Sequence, residues 1–208
     1  MSLPGNKLAG GNPKKDRVEN DFYATDPKAV YELLKSYSFD GVEVLEPCVG
    51  QGHIAKAIKD FYTNKRNITG VDIVDRGYPN TIVHDFLTWE PGRKFEAIIT
   101  NPPYSLATEF VKKGISLLTD ETENTCNGQM AMFLKIQFLE GQKRKELFDK
   151  FPPKYIFVFR NRMATWNDGK EFDVDENTGK KKRWATTICH AWFVWEKGFC
   201  GDPVIKWL

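Results

Sequence analysis

The residues best suited to chemistry stand where short apolar runs stop. Ala97-Ile98-Ile99 gives way within two residues to Asn101, Pro102, Pro103 and Tyr104. Two consecutive prolines supply no N–H to a strand ladder, so a buried strand ends here. Each proline also pushes the residue before it out of helical geometry. The tip is therefore stiff and extended. It offers an amide side chain, carbonyls whose direction the proline rings restrict, and an aromatic ring. Such a set suits a planar group bearing an NH2: the amide oxygen and a carbonyl accept its two protons, and the ring covers its face. A strand followed by a proline-rich turn accounts for the same four residues without chemistry, so the reading depends on what lies upstream.

Upstream, Glu46-Pro47-Cys48-Val49-Gly50-Gln51-Gly52 has the form of a strand, a tight turn and a helix start. Only Gly50 and Gly52 are present, so this is not the G-x-G-x-x-G dinucleotide fingerprint. It reads either as a generic βα turn or as a cradle for a small cofactor with a charged amine, which Glu46 would bind. Asp72 falls twenty residues after Gly52, near the end of the next apolar run. An acid there commonly binds ribose hydroxyls, and Asp75 is a rival for the role. Asp85 follows Ile82-Val83, where it would accept a hydrogen bond from an adenine amino group while Phe86 packs on the ring. Singly, these two are also an ordinary surface acid and core ring; their order and spacing carry the reading. At the front of the chain, Tyr23 and Thr25 precede Asp26-Pro27, a good N-cap and first helical residue.

The elements that must position these residues alternate. Val30, Leu33, Leu34 and Tyr37 recur at helical spacing after Pro27, and Ile54, Ala55, Ile58 and Tyr62 do so after Gly52. Leu106, Phe110, Val111, Leu117 and Leu118 line a third helix, and 141–151 forms a charged fourth. Short strands are predicted at Val42–Leu45, 68–74, 81–87, the run ending at Asn101, 129–136, 155–159 and 186–195, with 198–208 as a tail. Four strand–helix alternations followed by two late strands imply an α/β sandwich with a mostly parallel sheet. Ligands of such sheets bind outside the carboxyl ends of the strands, and every stretch above lies at that edge. Residues 1–20, rich in Gly, Asn, Lys and Pro, read as a mobile arm, and 21–208 as one domain with a polar loop or hairpin insertion at 164–184.

Bulk composition bounds the rest. The 208 residues carry a net charge of +2, which permits a nucleic-acid partner without requiring one. Cys48, Cys126, Cys189 and Cys200 show no paired spacing and read as reduced thiols, and adjacent Cys189-His190 is not a usual zinc spacing. No run of about 18 apolar residues and no signal peptide is visible, which points to a cytoplasmic chain. Lys180, Lys181, Lys182 and Arg183, with Arg160 and Arg162 before them, offer phosphate contacts. The acids of 171–176 offset that charge, so a solvated hairpin is the competing reading. Trp166 and Trp184 beside it would stack on a base or simply pack.

The series Phe22-Tyr-x-Thr-x-Pro27, Leu45-Glu-Pro-x-x-Gly-x-Gly52, Asp72, Asp85 and Asn101-Pro-Pro-Tyr104 resembles S-adenosylmethionine-dependent amino-methyltransferases, in particular the small, phage-type DNA adenine-N6 methyltransferases. The resemblance covers roughly residues 20–200. It implies a Rossmann-like class I fold with a sheet of about seven mostly parallel strands, one antiparallel, and helices on both faces. Glu46, Pro47, Gly50 and Gly52 would then cradle the methionine part of S-adenosylmethionine, beside Tyr23, Thr25 and Pro27. Asp72 would hold the ribose, and Asp85 and Phe86 the adenine. Asn101 and the Pro102 carbonyl, stiffened by Pro103, would hold the target NH2, and Tyr104 would stack on the target base. No metal is implied. DNA is the expected partner. RNA adenine, cytosine N4 and a protein glutamine amide present the same planar NH2 and stay open, as does a non-catalytic protein of this fold.

Overall fold

The computed structural model describes residues 22–40, 43–63, 65–122, 127–175 and 178–208. The arm expected at 1–20 lies outside the described residues. The chain forms β1 (Tyr23–Thr25), α1 (Pro27–Ser36), β2 (Glu43–Glu46), α2 (His53–Phe61), β3 (Asn67–Asp72), β4 (Ile82–Val83), β5 (Ala97–Thr100), α3 (Ala107–Leu117) and β6 (Gln129–Lys135). It continues through α4 (Lys145–Lys150), β7 (Tyr155–Val158), β8 (Thr165–Asn167), β9 (Phe172–Val174), β10 (Lys181–Arg183), β11 (His190–Glu196) and β12 (Val204–Trp207).

Eight strands make one sheet in the order β12-β7-β11-β6-β5-β2-β3-β4. Strand β11 runs antiparallel to both its neighbours, and the remaining pairs are parallel. The mostly parallel sheet with one reversed strand is as expected. The eighth strand is β12, which lies in the stretch read as a tail and pairs with β7 from Val204↔Tyr155 to Trp207↔Val158.

Alternation along each central strand sorts the core into two layers. Val44, Ala97, Ile99, Ala131, Phe133, Trp192 and Val194 face α1 and α2, meeting Val30, Leu33, Ile54 and Ile58. Leu45, Ile98, Met130, Met132, Leu134, Phe193 and Trp195 face the other side, meeting Phe110 and Val111 of α3 and Leu147 of α4. Helices thus cover both faces. The Trp192 indole N–H donates to the Ala29 carbonyl at 2.9 Å, which ties α1 to the sheet without leaving a buried polar atom unpaired.

Two strands are shorter than their apolar runs suggest, for local reasons. The run at 81–87 keeps only two paired residues, because the Asp85 carboxylate accepts the Leu87 N–H at 2.9 Å and turns the chain. The run from Thr186 starts pairing only at His190, because the Thr186 hydroxyl accepts the Ile188 N–H at 3.0 Å. The charged helix at 141–151 is a 3-10 turn followed by the short α4. The 164–184 segment forms two small ribbons: β8 pairs with β1, and β9 with β10.

Candidate functional site

Strand β2 ends at Glu46, whose side chain is 1% exposed. Burial pushes its carboxyl well above the usual range and the nearby Asp72 charge adds to this, while a hydrogen bond from the Ala55 backbone opposes it. Its Oε2 is buried without a hydrogen-bond partner. Beyond Pro47 the chain turns on Gly50, at φ +52°, and Gly52, at φ +78°. The turn is pinned from the neighbouring strand: the Asp72 carboxylate accepts the Gly50 N–H at 2.8 Å and the Val74 N–H at 3.1 Å. A Cβ on Gly50 would lie 2.2 Å from the Phe22 ring, and one on Gly52 2.1 Å from the Tyr78 ring. Both glycines are required by conformation and by space.

Next to β2 in the sheet, β5 ends at Thr100, and Asn101 follows it directly. The Asn101 Nδ2 donates to the Tyr23 backbone carbonyl at 3.1 Å. A carbonyl only accepts, so the amide orientation is fixed and Oδ1 is left as an acceptor. Pro102 is buried and Pro103 exposed, and the Leu106 N–H closes onto the Pro103 carbonyl at 2.9 Å. The extended tip therefore stops at Pro103, and Tyr104 opens a 3-10 turn. Tyr23 is exposed, Thr25 is buried with its hydroxyl unpartnered, and Pro27 opens α1, where the Asp26 side chain caps the Lys28 N–H at 2.9 Å.

Two rings sit differently from expectation. Phe86 is 2% exposed and packs on Phe110 at 4.9 Å between centroids, so it belongs to the core and has no face open to a ligand. The turn at Asp85 directs the chain inward and takes Phe86 with it, while Asp85 itself stays exposed. Tyr104 is not splayed out from the tip. Its ring is half-buried, with the Lys135 ammonium over it at 5.0 Å and the His190 ring at 5.8 Å, and its hydroxyl is buried without a partner. Burial pushes the phenol pKa up. His190 stacks in turn on Phe133 at 4.9 Å, and its Nδ1 lies 2.9 Å from the Met163 carbonyl.

The 164–184 segment is built onto this edge. Strand β8 pairs with β1 in the register Tyr23↔Asn167, Ala24↔Trp166 and Thr25↔Thr165. The ribbon lies against the glycine turn. The Phe22 ring covers Gly50, the Trp166 ring meets His53 edge-on at 5.4 Å, and Gly169 abuts the Gln51 side chain. Of the six basic residues expected to contact phosphate, Arg162 and Arg183 line one groove together with Trp166 and Trp184. Arg160 lies elsewhere, donating its backbone N–H to Leu208 beyond the end of β12, and Lys180, Lys181 and Lys182 are exposed on the outer hairpin.

Sequence reasoning missed several neighbours of the site. Tyr78 sits in a loop with no periodic signal, and its part in holding Gly52 is visible only in three dimensions. Lys135 and His190 are directly paired across β6 and β11. Strand-end position was their only signal. Among the described residues, no group of three or more His, Cys, Asp or Glu is placed to hold a metal. Nor is any helix among them long and apolar enough to cross a membrane.

No family model matches the chain. It is 33% identical over 152 residues to the type II methyltransferase M.CvrRI of Paramecium bursaria Chlorella virus XZ-6E, a match that covers 62% of this chain and 40% of that protein. It spans well under half the length of that relative. Among solved structures, it superimposes on the type I restriction-modification system methyltransferase subunit from Streptococcus thermophilus with a TM-score of 0.60 at 14% identity, over 91% of this chain and 48% of that one. It superimposes on a SAM-dependent O-methyltransferase from Thermotoga maritima with a TM-score of 0.55 at 11% identity, over 85% of this chain and 67% of that one. The chain has the Rossmann-like class I methyltransferase fold, and its sequence is related to that of a type II methyltransferase.

Proposed function

We propose that this protein transfers a methyl group from S-adenosylmethionine to the exocyclic N6 amine of adenine in DNA. The observation that carries this reading is the Asn101 amide, which follows the strand next to the one that ends at buried Glu46 and is fixed by the Tyr23 carbonyl. Strands β2 and β5 are paired in the register Leu45↔Ile98. Asn101 therefore lies about 7 Å beyond the level of Glu46 along the strand direction, a short span for a methyl donor to bridge. The relation to a type II methyltransferase supports the same reading.

The residues present fit the cofactor. The unpartnered Glu46 oxygen suits a buried ammonium, which would also return the carboxyl to its ionised form. Gly50 and Gly52 would let the backbone approach the methionine part, with Pro47, Tyr23, Thr25 and Pro27 around it. Asp72 would hold ribose hydroxyls while it pins the turn. Asp85 would accept from the adenine amine. Phe86, being in the core, would support that pocket from below. When bound, the cofactor supplies an electrophilic sulfonium methyl.

The remaining chemistry falls to the strand tip. An adenine amine is a poor nucleophile because its lone pair is delocalised into the ring. Asn101 Oδ1 and the Pro102 carbonyl would accept its two N–H groups and favour a pyramidal nitrogen with a localised lone pair. Pro103 limits how far that carbonyl can swing. Tyr104, backed by Lys135 and His190, would wall the base pocket. Catalysis of this kind is positioning and electrostatic preorganisation. In a duplex the base must first leave the stack, at a cost of a few kcal/mol. The test is transfer of labelled methyl from S-adenosylmethionine to unmethylated DNA, followed by digestion to nucleosides. Labelled N6-methyladenine is expected. Label on cytosine N4, or on RNA or protein in parallel reactions and not on DNA, would contradict the assignment.

A further inference from the structure

The groove that collects Arg162 and Arg183 is not used by the chemistry above. It has a volume of about 240 Å³ and lies between the start of α1 and the 162–184 segment. Its two acids are occupied: the Asp26 side chain caps the Lys28 N–H at 2.9 Å, and Glu171 pairs with Arg183 at 3.3 Å. Among the described residues, Lys28 and Arg162 have no carboxylate partner. Two indoles complete the wall. The Trp184 N–H donates to the Lys170 carbonyl at 2.6 Å, which fixes the plane of a ring that stays partly exposed. Trp166 is held by the His53 ring behind it.

Oriented indoles beside unpaired cations are the combination that binds unpaired nucleotides: the ring takes a base face and the cation its phosphate. Bases inside a duplex have both faces covered by their neighbours and cannot use such a platform. The site is also close to the target position. Asp26 follows Tyr23 by three residues, so the groove begins about 10 Å from the carbonyl that holds Asn101. With a net charge of +2, the chain lacks the general positive field that gripping an intact duplex calls for.

We propose that this groove binds an unpaired nucleotide next to the target adenine, with the base on Trp184 and the phosphate on Lys28 and Arg162, so that the preferred substrate is single-stranded or locally opened nucleic acid. The proposal rests on the function given above for its target, but its test does not depend on methyl transfer.

The full chain, without cofactor, is titrated against a short fluorescein-labelled oligodeoxynucleotide of mixed sequence, as a single strand and as a duplex, over a range of salt. The single strand is expected to bind at least about tenfold more tightly than the duplex. Trp184→Ala should weaken single-strand binding about 5- to 150-fold with an unchanged salt slope, and Trp184→Phe should restore most of it. Lys28→Ala and Arg162→Ala should each reduce the slope of log K against log salt by about 0.7. An oligoribonucleotide that binds the groove with the same dependence on Trp184 supports the site and widens its substrate to RNA. Equal or tighter duplex binding overturns the proposal. So does affinity in Trp184→Ala and Arg162→Ala equal to that of the parent, which would leave the groove to a peptide or another partner. Single-strand binding that depends on Trp184, with no methyl transfer by the parent to any substrate, would uphold the groove and overturn only the function given above.

Discussion

The Asn101 side-chain amide donates to the Tyr23 carbonyl at 3.1 Å, joining the tip of β5 to a residue 78 positions earlier in the chain. One contact thus sets the orientation of the amide proposed to hold the target, and links the strand tip to the β1–β8 ribbon. Asn101→Asp keeps an acceptor but replaces the donor with a carboxylate oxygen that the Tyr23 carbonyl repels. Turnover should fall about 10²–10³-fold, with cofactor affinity near that of the parent. Measured kcat beside a calorimetric Kd for S-adenosylmethionine checks this. Unchanged kcat would show that the contact does not orient the amide.

Gly50 and Gly77 both adopt positive φ, but only Gly50 has a neighbour where a side chain would go. Gly77→Ala therefore measures backbone strain alone, about 1–2 kcal/mol of stability. Gly50→Ala adds a collision with the Phe22 ring and should abolish cofactor binding. Comparing melting temperature and cofactor Kd for the two variants separates strain from site geometry. Retained binding in Gly50→Ala would place the cofactor away from this turn.

Glu46 gives a pH dependence with a defined sign. Its folded carboxyl is raised above the usual 4.5, chiefly by burial. Between the unfolded and the raised folded value the native state holds the extra proton, so stability of the ligand-free protein falls as pH rises from about 4.5. Glu46→Gln removes that fall. The variant should be more stable than the parent at neutral pH and unable to bind S-adenosylmethionine. Denaturant melts at several pH values would show it. A variant less stable than the parent at neutral pH would contradict the buried-carboxyl account.

Much of the candidate site's framework was legible in the sequence because its residues sit at the ends of strands, and strand ends are marked locally. Pro47, Pro102 and Pro103 stop ladders, Gly50 and Gly52 permit the turn, and Asp26-Pro27 opens a helix. What stayed hidden depends on contacts between distant segments. Phe86 reads equally well as a ligand platform or a core ring until the turn at Asp85 is seen to point it inward. Val204–Trp207 shows no burial signal, because an edge strand with its residues about half exposed lacks the alternation that marks a buried one. The pairing of β8 with β1 brings 164–184 onto the glycine turn, and no local pattern in either segment announces that.

The Tyr104 hydroxyl is buried without a partner, so its loss should be nearly neutral or stabilising by up to about 1–2 kcal/mol. Tyr104→Phe should keep turnover, whereas Tyr104→Ala should lose about 1–3 kcal/mol of substrate interaction. Steady-state kcat/KM with thermal melts distinguishes them. A large loss in Tyr104→Phe would give the hydroxyl a role that its position does not suggest.

The most direct test of the central assignment is to express the chain in cells lacking adenine methylation and to quantify N6-methyladenine in their DNA by mass spectrometry, for the parent and for Asn101→Ala. The modified base should appear with the parent and be absent with the variant, both proteins being folded and both binding S-adenosylmethionine. No N6-methyladenine with a folded, cofactor-binding parent, or equal amounts with Asn101→Ala, would contradict the assignment.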